Sequence, residues 1–278
     1  MSFLENVDRK KLQQILLIVL AALVCVALVL LLVIIINSIS SGMNNLTNHT
    51  VTEKDFRTGS LILADEDHAY SYTFEDSELT VLGTYRTANL QKDDNGNAIN
   101  KYYMNSQTQM KLTNETAAAA HKMLVAAEGA VKKDMLCIDS TYGYMYENSN
   151  REEYKTANLM FLAGMITADK PNVTLPDEYR AWLDANCAKY GFIESFEDGY
   201  RYVGIPHAKY MTEKKLTLAA YITELKKTSA DKPLKIETDD GKYEVYFIAC
   251  EIGAEVKVPE GATISGTNDG GIVITVKK

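Results

Sequence analysis

Residues 175–211 read LPDEYRAWLDANCAKYGFIESFEDGYRYVGIPHAKYM. Pro176 suits the first turn of a helix, where its missing N–H costs nothing, and Gly191 suits the end. Between them Tyr179, Trp182, Leu183, Cys187 and Tyr190 recur at three-to-four spacing, the period of one buried helix face. FIESF and YRYVG then read as strands and IPHAKYM as a short helix. This succession points to a domain that mixes helices with strands.

Downstream, LTLAAYITELKK reads as a further helix with Thr217 as its cap. From Pro233 the texture changes. Strand-like runs alternate with turns at Asp240-Gly241, Pro259-Glu260-Gly261 and Asn268-Asp269-Gly270-Gly271. This predicts an all-β appendage of about four or five strands over 233–278. Upstream, MLCID reads as a buried strand. LTNETAAAAHKMLVAAEGAVKK reads as a helix that Thr113 or Asn114 can cap, with Glu115 at its positive end and Lys132 and Lys133 at the other. DDNGNAIN is a turn centred on Asn95-Gly96. LILA, from Leu61, suggests a strand.

Ile15 to Ile36 is an unbroken apolar run without charge, Pro or Gly. Crossing the hydrocarbon of a bilayer takes roughly 20 such residues. Arg9, Lys10 and Lys11 precede it, and the next basic residue is Lys54. The positive-inside rule therefore predicts a cytoplasmic stub over 1–11, one transmembrane helix over 12–36 and the remainder outside the cell. A cleaved signal peptide would carry an apolar stretch of only about 7–15 residues. The Asn-, Ser- and Thr-rich segment 37–58 reads as a tether. The chain's net charge is -8, which argues against nucleic acid as a partner. Cys25, Cys137, Cys187 and Cys250 show no metal-site spacing; Cys25 lies inside the apolar run, and the other three read as small buried residues. No GxSxG, P-loop or GxGxxG motif is present.

Four segments, in the same order and with similar spacing, resemble the VanY type of D-alanyl-D-alanine carboxypeptidases. They are LILADEDHAY, LTNETAAAAHKMLVAA, EYRAWLDANCAKYGFI, and RYVGIPHAKYM with LTLAAYI. The resemblance covers about Leu61 to Lys227 and implies an α+β fold with a small antiparallel sheet flanked by helices over 59–228. It also implies a zinc peptidase acting on peptidoglycan stem peptides, in a Gram-positive bacterium. Such an enzyme binds zinc through His, Asp and His, and a Glu serves as general base.

Carried over residue by residue, the implied site is altered. EYKTANLMFL places Tyr154 at the first His position and Phe161 at the Asp position. FEDGYRYVG places Gly199 at the last His position. In IDSTYGYMY, Ser140 and Tyr142 match, while Gly143 replaces a substrate-binding Arg. Glu197 is a candidate relic of the base. Ser140, Tyr142, Tyr144, Glu153, Tyr154 and Arg201 are the candidate groove residues. Of the four histidines, His49 lies in the tether, His68 in the opening Asp-His pair, His121 in a helix and His207 at the start of the closing helix.

The expectation is a single-pass membrane protein carrying a carboxypeptidase-like domain without a catalytic site, metal ligands or a cofactor. Its partner would be a peptidoglycan peptide or a cell-envelope protein. Two alternatives remain. One is an active D,D-carboxypeptidase with zinc in an unusual site, such as one built from His68, His121 and His207. The other is a structural partner in a membrane complex, binding through its tail and membrane helix.

Overall fold

The computed structural model describes residues 17–20, 22–24, 26, 28, 46–133, 135–144, 151–165 and 174–278. The chain divides into two units, Met1–Thr47 and Asn48–Lys278. In the first unit the described residues between 17 and 28 are helical, with apolar side chains such as Leu17, Leu20 and Leu23 exposed. Most of the expected transmembrane segment, 12–36, lies outside the described residues. Among the described residues no helix is long and apolar enough to cross a membrane.

In chain order the elements are β1 (Leu46–Thr50), α1 (Glu53–Arg57), β2 (Leu79–Val81), α2 (Leu82–Asn89), β3 (Tyr103–Met104), β4 (Lys111–Thr113) and α3 (Asn114–Val131). Then follow β5 (Leu136–Thr141), β6 (Leu159–Gly164), α4 (Asp177–Asn186), β7 (Phe192–Phe196), β8 (Gly199–Tyr202), α5 (Ile205–Lys214) and α6 (Leu218–Leu225). The chain closes with β9 (Leu234–Thr238), β10 (Gly241–Ala249), β11 (Glu255–Pro259), β12 (Thr263–Gly266) and β13 (Gly271–Lys277).

The central sheet has the order β3-β5-β6-β8-β7. It is antiparallel except at β3, which runs parallel to β5. One face packs against α3 and α4. Met123, Leu124 and Ala127 of α3 and Tyr179 and Leu183 of α4 share a core with Leu136, Ile138, Met160, Leu162, Tyr200 and Tyr202 of the sheet. Thr113 caps α3 through the N–H of Thr116. Buried Glu128, near the end of α3, accepts the Leu136 N–H at 2.7 Å and the Tyr179 hydroxyl at 2.6 Å. One carboxylate thus ties two helices to the first long strand.

On the opposite side of the sheet, Ile193 and Val203 join Ala208 and Met211 of α5 and Tyr221, Ile222 and Leu225 of α6. The far side of these helices meets the second sheet, ordered β12-β13-β10-β9, through Ile236, Tyr243, Val245 and Val273. The tail is therefore part of a shared core and not an appendage. His207 makes the join explicit: its Nδ1 lies 2.8 Å from the Tyr221 hydroxyl and its Nε2 3.1 Å from Thr275 Oγ1 of the tail.

Two local expectations are corrected. LILA is fully buried but belongs to no strand. Its backbone pairs instead with the tail: the Leu61 N–H donates to Ser265 Oγ at 3.0 Å and the Leu63 N–H to the Thr267 carbonyl at 2.9 Å. The tether is ordered at its C-terminal end. A reciprocal capping box between Thr52 and Asp55 starts α1, and buried Val51 packs with Phe56 on the outer face of the tail sheet, beside Tyr246 and Ile272. Backbone bonds hold the segment there as well: the Val51 N–H donates to the Ala254 carbonyl at 2.9 Å, and the Thr58 carbonyl accepts the Gly266 N–H at 2.8 Å.

Burial drives the pKa of His207 down to about 3, so the folded protein holds it neutral. An unfolded chain protonates it below about 6.5. The native state then binds fewer protons, so stability is full above that pH and falls as the pH drops toward the folded value. Denaturant titrations at pH 7, 5.5 and 4.5 should show a falling midpoint. His207→Gln should cost about 1–3 kcal/mol at pH 7, the penalty of disturbing a buried hydrogen-bonded group, and should flatten that acid slope.

Candidate functional site

Side chains on β8 alternate. Tyr200 and Tyr202 enter the helix-covered core, while Gly199 and Arg201 face the other way. On the neighbouring strand Phe161 pairs with Gly199, and Leu159 with Arg201. Tyr154, from the short helical turn Glu152–Thr156, stacks on Phe161 with ring centroids 5.5 Å apart, and Phe161 stacks on Phe196 at 6.0 Å. The Arg151 guanidinium lies 4.2 Å from the Phe196 ring centre. The three positions expected to hold metal ligands, Tyr154, Phe161 and Gly199, lie together, and the rings of Tyr154, Phe161 and Phe196 stack there. Gly199 is buried, and a Cβ there would meet the Phe161 ring and Phe196 Cβ at 3.0 Å.

Ser140 lies behind this stack, fully buried, 2.8 Å from the Tyr154 hydroxyl. Tyr142 packs edge-on against Phe74, and Tyr144 packs against the helix-covered core, so neither joins the groove. Gly143 has φ of +83°, and a Cβ there would stand 2.4 Å from the Gln109 carbonyl oxygen. No side chain fits that position without moving the backbone. Glu197 is exposed in the turn between β7 and β8.

Beside the stack lies a cavity of about 460 Å³. Glu153 and Arg201 line it together with Asp65, Phe196 and the start of α6 at Thr217 to Ala219. Two of the six groove residues expected from sequence therefore share a cavity. Asp65 and the α6 terminus were missed as site residues, although LILADEDHAY and the Thr217 cap were both legible.

Arg201 is 3% exposed. One of its terminal nitrogens donates to the Ile62 carbonyl, and its Nε is buried without a hydrogen-bond partner. Burial lowers its pKa to about 10, against the attraction of Glu153, Tyr70 and Asp65, so it stays cationic at neutral pH. Asp65 accepts from the His68 ring, with Nδ1 at 2.6 Å. Burial opposes the charge on Asp65, but His68 and nearby backbone N–H groups outweigh it and hold the carboxyl below its usual range.

No family model matches the chain. Among solved structures, the vancomycin-resistance D,D-dipeptidase VanXYg in complex with a D-Ala-D-Ala phosphinate analogue aligns over 84% of this chain and 99% of its own, with a TM-score of 0.55 at 17% identity. The fold is thus the mixed α and β fold of VanXYg. A D-alanyl-D-alanine carboxypeptidase of Enterococcus faecium is 30% identical over 110 residues, 34% of this chain and 35% of that protein. The chain spans about a third of the length of this curated relative. A VanY D,D-pentapeptidase mutant, solved in complex with Zn(II), aligns over 59% of this chain and 98% of its own at 16% identity, TM-score 0.37.

The expectation of no cofactor is corrected here, since that neighbour holds Zn(II). The side chains at the three expected positions do not fit the ion. Phenyl and glycine offer no lone pair, and the Tyr154 hydroxyl is turned to Ser140. The alternative set does not assemble either. His68 is held by Asp65, His121 lies 3.0 Å from the Tyr102 hydroxyl, and His207 is locked between Tyr221 and Thr275. Among the described residues no group of three or more His, Cys, Asp or Glu could hold a metal.

Gly199→Val should lower stability by about 1–3 kcal/mol, the usual cost of overpacking a filled site. In a Phe161→Ala background the same change should cost less, because the ring is gone and only the Phe196 Cβ contact remains. A double-mutant cycle in denaturant measures this coupling.

Proposed function

We propose that this chain is a membrane-anchored, extracytoplasmic protein of the D-alanyl-D-alanine carboxypeptidase group that binds a peptidoglycan stem peptide without cutting it. One observation carries the reading. The positions that would hold a catalytic metal are packed with stacked rings, while the cavity beside them remains open and keeps a buried cation. Rings at that place stabilise the sheet and offer an apolar floor, but they neither polarise a carbonyl nor activate water. The fold shared with VanXYg and the carboxypeptidase-like segment support peptidoglycan peptides as the ligand class. The uncharged run from Ile15 to Ile36, preceded by three basic residues, supports a single anchor with the N-terminus in the cytoplasm.

The test uses the full chain in detergent, equilibrated with added Zn(II), and a synthetic stem peptide ending in D-Ala-D-Ala. Saturable binding with D-Ala release no faster than in buffer is the expected result. Catalytic release would overturn the reading in favour of an active carboxypeptidase. For the anchor, the full chain should stay with membranes through an alkaline wash and leave only with detergent; release by the wash would count against a spanning helix.

A further inference from the structure

We propose that the cleft along α3 is a second binding site, which holds an extended, uncharged strand of N-acetylated amino sugars, the glycan of peptidoglycan. The site lies on the other face of β8 from the peptide cavity, and only the identity of the polymer rests on the function proposed above.

A cavity of about 800 Å³ opens between α3, α5, the turn after α4 and the β9–β10 turn of the tail. Tyr202 lines it where Arg201 lines the other cavity, so the alternation of β8 separates the two sites. Thr212 on α5 borders both. Smaller hollows continue the cavity along α3. Glu115 and Tyr202 also line one of about 270 Å³ that reaches Phe74. Lys122 also lines one of about 380 Å³ that reaches His121 and Gly129. The three share walls in series along a helix whose 18 residues run about 27 Å. That shape suits a chain of several units and is too long for one small molecule.

Two rings are fixed in the wall. Tyr202 donates its hydroxyl to Glu115 at 2.7 Å and packs edge-on against Phe192. Tyr190 packs against Trp182 with ring centroids 6.0 Å apart. Such rings give apolar surface to the face of a sugar, while polar groups around them meet its hydroxyls. Ala118, Ala119, Ala185 and Ala188 leave shallow apolar hollows of a size for an acetamido methyl. Three lysines and four carboxylates border the cavity, so its charge is nearly balanced and a polyanion is disfavoured. The Lys122 and Asp239 side chains enter no ion pair among the described residues, so a donor and an acceptor remain for hydroxyl and amide groups. A peptide fits less well. The walls are mainly helices, whose backbone groups are spent internally, so an extended peptide finds no strand edge to pair with. A docking helix needs deep apolar pockets, and alanines offer none. The tail completes the cleft: Asp240, in its turn, is held by the Tyr243 hydroxyl and by Lys277 Nζ at 2.8 Å.

The test uses the full chain in a detergent without sugar headgroups. Calorimetry compares a peptide-free hexasaccharide of N-acetylglucosamine, the matching glucose hexasaccharide and a sugar-free stem peptide ending in D-Ala-D-Ala. The amino-sugar chain should bind saturably, at least about fivefold tighter than the glucose chain, the scale of one or two hydrogen bonds. Added stem peptide should leave that affinity unchanged. Ala185→Trp should fill the cleft and weaken the amino-sugar chain at least about fivefold, and the paired Lys122→Ala and Asp239→Ala should do the same by removing two polar partners. All three positions are exposed, so folding and stem-peptide affinity should not move. No binding of the amino-sugar chain by the wild type, with the stem peptide bound, would overturn the cleft and leave the proposed function intact. Equal binding of both sugar chains would overturn the amino-sugar assignment. Competition between amino-sugar chain and stem peptide, or binding that the cleft variants leave unchanged, would overturn this location. Binding of the amino-sugar chain without the stem peptide would keep the cleft and overturn the stem-peptide reading. Failure of every probe to bind would overturn both.

Discussion

The strand Gly199–Tyr202 has to serve two surroundings at once, and much of the molecule follows from that constraint. Its side chains alternate between faces. Tyr200 and Tyr202 must enter the apolar core under α3 and α4, so Gly199 and Arg201 must face the side where Phe161 and the cavity lie. A slip of one residue would put a guanidinium among leucines and expose two tyrosines, so the register is strongly specified. Register in turn places Gly199 opposite Phe161, and only glycine at that point leaves the ring its room.

The two halves of this sheet face therefore differ in kind. One is closed by Tyr154, Phe161 and Phe196, whose stacked rings gain from contact with one another and from the Arg151 guanidinium above them. The other is open and charged, with Arg201 held between buried backbone and solvent-facing acids. A zinc peptidase needs three lone-pair donors around one point. Here Tyr154, Phe161 and Gly199 lie together on one face of the sheet, and packed rings fill the place where they meet.

How much of this was legible in the sequence depends on the range of the interaction. The hairpin FIESF and YRYVG and the caps at Thr113 and Thr217 are local signals, and the structure places them where period and capping chemistry required; the helix expected up to Gly191 ends as α-helix at Asn186 and reaches Gly191 through a tighter 3-10 turn, Cys187–Tyr190. The convergence of Tyr154, Phe161 and Gly199 could be anticipated only through resemblance, because residues far apart in the chain meet there. LILA was misread for the same reason: four apolar residues in a row fit a buried strand, but their backbone partners are Ser265 and Thr267, some two hundred positions away. Asp65 escaped notice because a carboxylate next to a buried segment carries no local mark of the cavity it borders.

His207 and the core around it change what the tail is. Its last strand lends a hydroxyl to a histidine on α5, and its apolar face completes the packing of Tyr221, Met211 and Leu63. The tail and the helices are thus one cooperative unit, in which neither keeps its dry face without the other. A chain cut after Lys232 would uncover that face and strip His207 of a hydrogen-bond partner. Loss of any binding partner on such truncation would then report a collapsed scaffold, not a recognition surface on the tail. The boundary that the composition draws at Pro233 is a change in secondary structure, and the unit of folding runs straight through it.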